Sequence, residues 1–517
     1  MELSRLLSVT GLVAIGSGWG CDGKPTTITI PVVVPVNDPS SVAVDTSIPP
    51  DTGDTEDSGD TGGWDADGDG YTAEAYGGTD CDDSDATTHP DANEQWNGQD
   101  SNCDGIVDNL LFNEDNTCFA GEDRWSLGIA LEAAGDLNGD GYGEILAGAP
   151  GFNPTRGTYD EIYGGAFVVD GQLLSGVEEN PNIQDYSHVI TGAATGGRFG
   201  VVLAGLGDID GDGAPDIAMV ADRHSVNHDG NKTTGLGLVS MVLSSGSPYD
   251  SVMNADQADI LIYGNDAKQR LGSATIGYGD TNGDGMDDFG LAGRLNSDNM
   301  GMYIYHGRPL VEWSEYSTID DADGVLAIAE SLDTYAMQSG PAGDFNGDGY
   351  QDVLVGSGTH DVPINNGGVV YLTFGGIDGV QWREDLDSEA DFAFVPDSVN
   401  ASGEFLGWAM TTLSDQDGDG DDEIALTSLY EESVGEDGGS VYIVLGQPAT
   451  DGIPGATMAE GIMRSSVSDA ADAKLLPSSD HDMLGWALAP FPDIDGDGLA
   501  ELGVSSPYAS SDGLLAN

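Results

Sequence analysis

Basic residues are nearly missing from this chain. Lys and Arg number 14 against 91 Asp and Glu in 517 residues, for a net charge of −77. A surface of that sign repels phosphate backbones, so nucleic acid is excluded as a natural partner. Like charge at that density also opposes compaction unless counterions bind. Long apolar runs are missing as well. The best candidate, Leu6 to Ile15 after the single basic residue Arg5, has signal-peptide length and is too short to span a bilayer. Gly–x–Ser–x–Gly, His–Glu–x–x–His and phosphate-loop patterns do not occur, and a pair of carboxylates says little among 91 acids. What is abundant is glycine, at 78 residues, which with so little Lys and Arg fits an all-β, turn-rich secreted chain. The length allows two or three domains and a large core.

The acids are ordered. In "GDLNGDGYGEILAGAP", residues 135–150, Asp136, Asn138 and Asp140 stand at positions 1, 3 and 5 of a loop, Tyr142 at 7 and Glu144 at 9. A hard cation takes six to eight oxygens at about 2.3–2.6 Å, and alternate residues of a tight loop converge on one. Position 7 would give its backbone carbonyl. Gly141 at position 6 permits the sharp turn. An EF-hand would place Glu at position 12 and continue into a helix. Position 12 is Ala147, inside a short apolar run stopped by Gly and Pro, which is strand punctuation. The loop therefore joins two strands.

The same register recurs five times. The further sets are Asp208, Asp210, Asp212, Ala214 and Asp216; Asp280, Asn282, Asp284, Met286 and Asp288; and Asp344, Asn346, Asp348, Tyr350 and Asp352. Asp415, Asp417, Asp419, Asp421 and Glu423 form the fifth loop, and Asp493, Asp495, Asp497, Leu499 and Glu501 the sixth. Glycine fills positions 4 and 6 in every copy, and the first residues are 72, 72, 64, 71 and 78 apart. One such loop could arise by chance in an acidic chain; six in phase are an array. An apolar residue and Gly precede the loops, as in Phe199–Gly200, Leu271–Gly272 and Leu406–Gly407, with Ala336 replacing Gly in the fourth copy. Gly-led runs such as "GGAFVVDG" and "GGSVYIVLG" follow and read as strands. One unit is strand, metal loop, strand, variable loop, strand and a fourth strand, and such units cannot bury their faces alone.

On these motifs residues 124–517 resemble the FG-GAP repeats of the β-propeller in integrin α-subunits and many bacterial surface proteins. The "GAP" element stands at Gly148–Ala149–Pro150. The resemblance implies an all-β propeller, seven blades for the family, with calcium in the loop between the first two strands of a blade. Repeats start near 124, 198, 270, 335, 405 and 483. The sixth stops at "SSDGLLAN", where its third strand is due. Two expectations follow: the gene continues beyond Asn517, which is favoured, or Ile106–Phe112 docks into the last blade and closes the ring, since an open sheet edge invites aggregation.

The N-terminus reads as a signal peptide over 1–20. Cys21 after Gly20 resembles the lipidated cysteine of bacterial lipoproteins, with an export signal alone as the alternative. Residues 21–63 are rich in Thr, Pro and Asp and cannot bury a core, so they read as a disordered tether. Residues 64–110 hold Asp65, Asp67 and Asp69, then Asp80, Asp82, Asp83 and Asp85, then the 1-3-5-9 set Asp100, Asn102, Asp104 and Asp108. This module resembles a metal-binding motif common in bacterial surface proteins, with Trp96 where that pattern has a second Cys. Some relatives bind copper, but oxygen donors favour Ca²⁺ here. Of the four cysteines (Cys21, Cys81, Cys103 and Cys118), lipidation of Cys21 leaves three, hence one bridge and one free thiol, with Cys81–Cys103 the expected pair.

In the propeller loops positions 1, 3, 5 and 9 are consumed by coordination, so the metal staples strands. Ca²⁺ in all six and two more in the module would offset only 16 of the 77 charges. His224 and His228, in a variable loop without a third ligand, read as surface histidines. Two functions remain. The favoured one is a monomeric, calcium-stabilised binding or adhesion module, displayed at a bacterial surface through a lipid anchor and recognising an extracellular protein or glycan. The other is the propeller of an extracellular hydrolase or lyase. No catalytic domain is recognised in residues 1–123, and fold alone names no ligand.

Overall fold

Runs such as Gly165–Val169 (GAFVV), Leu238–Val242 (LVSMV) and Ser440–Val444 (SVYIV) are small or apolar throughout, and every residue in them is buried. A strand covered on one face would alternate; continuous burial means cover on both. The computed structural model describes residues 71–72, 79, 81, 88–89, 125–153, 162–171, 183, 187–228, 231–244, 254–296, 299–314, 316–328, 337–361, 366–397, 403–432, 437–448, 452–459, 461–477, 480–491 and 499–507. The chain divides into two units, one of 1–13, 31–113 and 491–503, the other of 14–30, 114–490 and 504–517. In the smaller unit Tyr71 and His89 stack with centroids 4.7 Å apart, and Cys81 is disulfide-bonded. Cys21, Cys103, Cys118 and the 106–112 segment lie outside the described residues.

The larger unit repeats one sheet. The first contains Leu131–Gly135, Glu144–Ala149, Gly165–Val169 and Ser187–Thr191, antiparallel in sequence order. The second has Val202–Gly207, Asp216–Ala221, Leu238–Val242 and Ile260–Tyr263. Thr275–Gly279, Asp288–Arg294, Met300–Tyr305 and Gly324–Ile328 make the third. Met337–Gly343, Asp352–Ser357, Val369–Thr373 and Phe392–Val395 make the fourth. Leu406–Leu413, Glu423–Ser428, Ser440–Val444 and Ala473–Leu475 make the fifth. The four-strand unit expected from the repeats is thus present five times among the described residues.

The core lies between consecutive sheets. One cluster joins Leu146, Val168 and Ile190 of the first sheet to Leu203, Ile217 and Met219 of the second. Equivalent clusters join the second to the third, the third to the fourth and the fourth to the fifth. Serial face-to-face stacking of four-stranded sheets is propeller-like.

Two devices seal junctions between the sheets. In the first, at three of the four junctions, the FG-like pair enters the preceding sheet. Phe199 is 1 % exposed and bridges Gly164 in parallel, as Leu406 does Gly368. Gly200 has φ +80, and a Cβ there would lie 2.1 Å from the Gly165 carbonyl oxygen. Only glycine meets both demands. In the second, on the outer side, the loop between the third and fourth strands of each sheet runs parallel to the fourth strand of the sheet before it. Tyr316–Thr318 pairs with Ile260–Tyr263, and Ile462–Ser466 with Phe392–Val395. The other two junctions have single bridges, Thr191 with Asn254 and Leu326 with Arg383. The two paired segments cover edges that would otherwise expose unpaired N–H and C=O groups, and the single bridges tie the other two at one point.

Candidate metal centre

Each of the five described loops is built by its own backbone. In the first, Asp136 Oδ1 accepts from the N–H groups of Gly139 (2.7 Å) and Asp140 (3.1 Å), and Oδ2 from Gly141 (2.8 Å). Asn138 accepts from Asp140 and Asp140 from Tyr142, both at 2.9 Å. Glu144 Oε2 accepts from Leu137 N–H at 2.7 Å. The position-1 bonds to 5 and 6 recur from Asp208, Asp280, Asp344 and Asp415. Glycine at position 6 is demanded by conformation alone: at Gly141, Gly213, Gly285, Gly349 and Gly420 φ is +90 to +103 and a Cβ would meet nothing within 4 Å.

The loops differ in which acids they gather. In the fifth, carboxylate oxygens of Asp415, Asp417, Asp419 and Glu423 all lie within 4.8 Å of one another. The second gathers Asp208, Asp210 and Asp216 without Asp212. The first gathers Asp140 and Glu144 with Asp170 rather than Asp136. Asp170 escaped the sequence reading because it follows the third strand, 26 residues beyond Glu144. Its signal is that Leu243, His306, Phe374 and Leu445 stand at that place in the other sheets. In the third and fourth loops the side-chain amides Asn282 and Asn346 hold position 3, and Asn282 Nδ2 donates to Asp284 at 3.0 Å. Asp493, Asp495 and Asp497 lie outside the described residues, as do Asp65, Asp67, Asp69, Asp100, Asn102, Asp104 and Asp108. Of the sixth loop, Leu499 and Glu501 are described, and Glu501 is buried.

Position 9 carries the electrostatic tension. Asp216, Asp288, Asp352 and Glu423 are fully buried at the start of second strands. Three of them are held at both oxygens. Asp216 accepts from Ile209 and Ser244, Asp352 from Phe345 and Gly375, and Asp288 from Thr281 and Gly307. Burial nonetheless pushes Asp216, Asp352 and Glu423 up to about 8 and Asp288 up to about 6. Glu423 accepts from Gln416 N–H through Oε2 at 2.6 Å, while its Oε1 is buried without any hydrogen-bond partner. A buried carboxylate oxygen with no protein donor, beside three more carboxylates, suits a bound cation. The donors are all oxygen, which suits a hard divalent ion over copper or zinc.

His224 departs from expectation. It is buried, not on the surface: its N–H donates to Ala221, its carbonyl accepts from Leu236, and its ring lies 5.9 Å from that of Tyr263. Burial lowers its pKa, which favours the neutral imidazole. The turn after the second strand folds back on the sheet, which local sequence does not signal. The side chain of His228 lies outside the described residues.

Comparison with known proteins agrees with this geometry. Residues 130–162 and 338–373 match the FG-GAP repeat family, and residues 80–109 match the metal-binding motif of the Cu-binding MopE type. The chain is 33 % identical over 151 residues to integrin alpha pat-2 of Caenorhabditis briggsae, covering 29 % of this chain and 11 % of that protein. It is 26 % identical over 256 residues to integrin alpha-PS2 of Drosophila melanogaster, covering 49 % and 17 %. Phosphatidylinositol-glycan-specific phospholipase D of Rattus norvegicus is 28 % identical over 199 residues, covering 37 % and 22 %. The chain thus spans less than a quarter of the length of each of these relatives. A solved structure, a triple arginine-to-alanine mutant of AofleA from Arthrobotrys oligospora, aligns over 68 % of this chain and 86 % of its own at 7 % identity, but its TM-score of 0.25 carries no argument. Among the described residues no helix is long and apolar enough to cross a membrane. The chain carries FG-GAP repeats and a MopE-type metal-binding motif, and integrin α-subunits are among its homologues.

Proposed function

We propose that the chain is a calcium-stapled β-propeller that acts outside the cell as a binding or adhesion module for a protein or glycan partner, without catalytic activity of its own. The observation that carries the metal is Glu423, whose unpartnered oxygen joins the carboxylates of Asp415, Asp417 and Asp419. The similarity to integrin α-subunits supports the binding role. The ring would close with the blades the family implies, and Cys21 would anchor the chain through a lipid, with residues 21–63 as tether. Residues 64–110 would hold further metal.

Calcium calorimetry on the full chain tests the metal; no heat of binding and an unchanged melting curve in chelator would remove it. A protein and glycan array probed with and without Ca²⁺ tests the partner, and a calcium-dependent hit is expected. Cys21→Ser should release the protein from the envelope fraction; retention at wild-type level excludes that anchor. The phospholipase D similarity favours the enzyme reading only in so far as FG-GAP repeats can accompany a catalytic domain. Hydrolysis of glycosylphosphatidylinositol by the purified chain would reverse the assignment.

A further inference from the structure

Position 8 belongs to no ligand set, yet it ties neighbouring loops together. The N–H of Asp287 donates to the carbonyl of Asp208 at 2.8 Å, and its Oδ2 accepts from the N–H of the same Asp208 at 2.8 Å. Asp422 repeats this two-way clamp on Asp344, at 3.0 and 2.9 Å. Its other oxygen accepts from Asp415 N–H of its own loop at 3.0 Å, so one carboxylate bridges both loops. Gln351 makes only the N–H bond, to the Asp280 carbonyl at 3.1 Å. Pro215 has no N–H and meets the preceding loop by packing alone: a Cβ on Gly135 would lie 2.9 Å from its Cγ.

Position 7 adds a second tie in the same direction. A Cβ on Gly211 would lie 3.0 Å from Met286, one on Gly283 2.7 Å from the Tyr350 ring, and one on Gly347 1.9 Å from Asp421 Oδ1. The glycine at position 4 is therefore room for the next loop. Position 1 is the residue around which a loop's own N–H groups converge. Fixing its N–H and its C=O from outside fixes the backbone that aims its carboxylate.

We propose that metal occupancy is cooperative between neighbouring loops and passes through position 8. Coupling is strong in the pairs 208/280 and 344/415, weaker between 280 and 344, and lost between 136 and 208, where Pro215 stands. This rests on the reading of the loops as calcium sites, and because linkage is reciprocal each loop of a pair assists the other.

The amides of Gly213, Gly349 and Gly420 donate to Asp208, Asp344 and Asp415 Oδ2 at 2.8, 2.8 and 3.0 Å, so their NMR shifts read three loops separately in a Ca²⁺ titration of the full chain. Asp419→Ala should weaken calcium at the 344 loop about five- to tenfold, as seen at Gly349. Asp419→Asn, which keeps an acceptor for the Asp421 N–H, should do the same if folding is intact. Asp140→Ala removes an equal charge from the 136 loop and should leave Gly213 within about twofold. In Asp422→Ala the effect of Asp419→Ala on Gly349 should vanish. Equal midpoints at Gly349 with and without Asp419 would overturn the coupling, as would an equal response of Gly213 to Asp140→Ala. If no glycine shifts with Ca²⁺, the metal reading itself falls, and coupling with it.

Discussion

Replacing Glu423 with Gln should stabilise the metal-free protein and destabilise the calcium-loaded one. The isostere keeps an oxygen for the Gln416 N–H and removes the charge from a fully buried site. Without metal, this carboxyl has been pushed from 4.5 to about 8 by burial, then by Asp417, Asp415 and Asp419. At pH 7 it must take up a proton that it would not hold unfolded. Each unit between 4.5 and 7 costs about 1.4 kcal/mol, so the neutral isostere gains on the order of 3 kcal/mol. With calcium bound the sign reverses. One charged ligand is lost, and affinity at that loop should fall at least about tenfold, or about 1.4 kcal/mol. Repeat arrays need not unfold in one step, so hydrogen exchange at Ile424–Ser428, the strand that Glu423 begins, is the better assay than a global melt. Slower exchange in chelator and faster exchange in calcium is the expected pair. Faster exchange in both would refute the picture of a buried carboxyl that takes a proton without metal and ionises against a cation with it.

Acidification gives a second check. Asp216, Asp352, Glu423 and Asp288 have folded pKa values above their unfolded ones, so the metal-free fold binds more protons than the unfolded chain. Its stability should rise as pH falls from about 8 to about 5, while calcium affinity falls over the same range; melting curves in chelator and titrations at each pH read the two. Phe199→Ala should cost about 3–5 kcal/mol, the usual price of emptying a buried aromatic site, and loosen the first two sheets in proteolysis. Gly283→Ala sets a Cβ 2.7 Å from Tyr350 at φ +76, and a loss of about 1–3 kcal/mol is expected in denaturant; Gly283→Ala in a Tyr350→Ala background should cost less.

Much of this was legible in the sequence, because loop, glycine pair and strand all sit within about 35 residues and recur in phase. The Gly-led runs became third strands, and "EILAGAP" became the strand Glu144–Ala149 rather than a helix. What escaped was every contact made across repeats. Nothing local marks Tyr316–Thr318 or Ile462–Ser466 as strands; their partners lie in the preceding sheet and supply the hydrogen bonds. Asp170 joins the first loop only because the third strand returns beside it. Glycine at position 4 recurred in the sequence without a stated reason, and the neighbour's side chain above it appeared only in three dimensions. His224 looked exposed because its cover comes from a backbone reversal and from Tyr263.

The outer parallel strands also impose an order in time. The fourth strands of the second and fourth sheets gain their last neighbour from a segment that lies in the following repeat: Ile260–Tyr263 from Tyr316–Thr318 and Phe392–Val395 from Ile462–Ser466. A ribosome needs roughly 3–16 seconds to add a repeat of this length. For that interval the fourth strand has a bare edge. On those two sheets the edge stays bare only until the following repeat has emerged, provided each sheet folds as it emerges. A pause at a repeat boundary would lengthen the life of such an edge, and an export pathway that delivers the chain N-terminus first would set the same sequence of closures on the far side of the membrane.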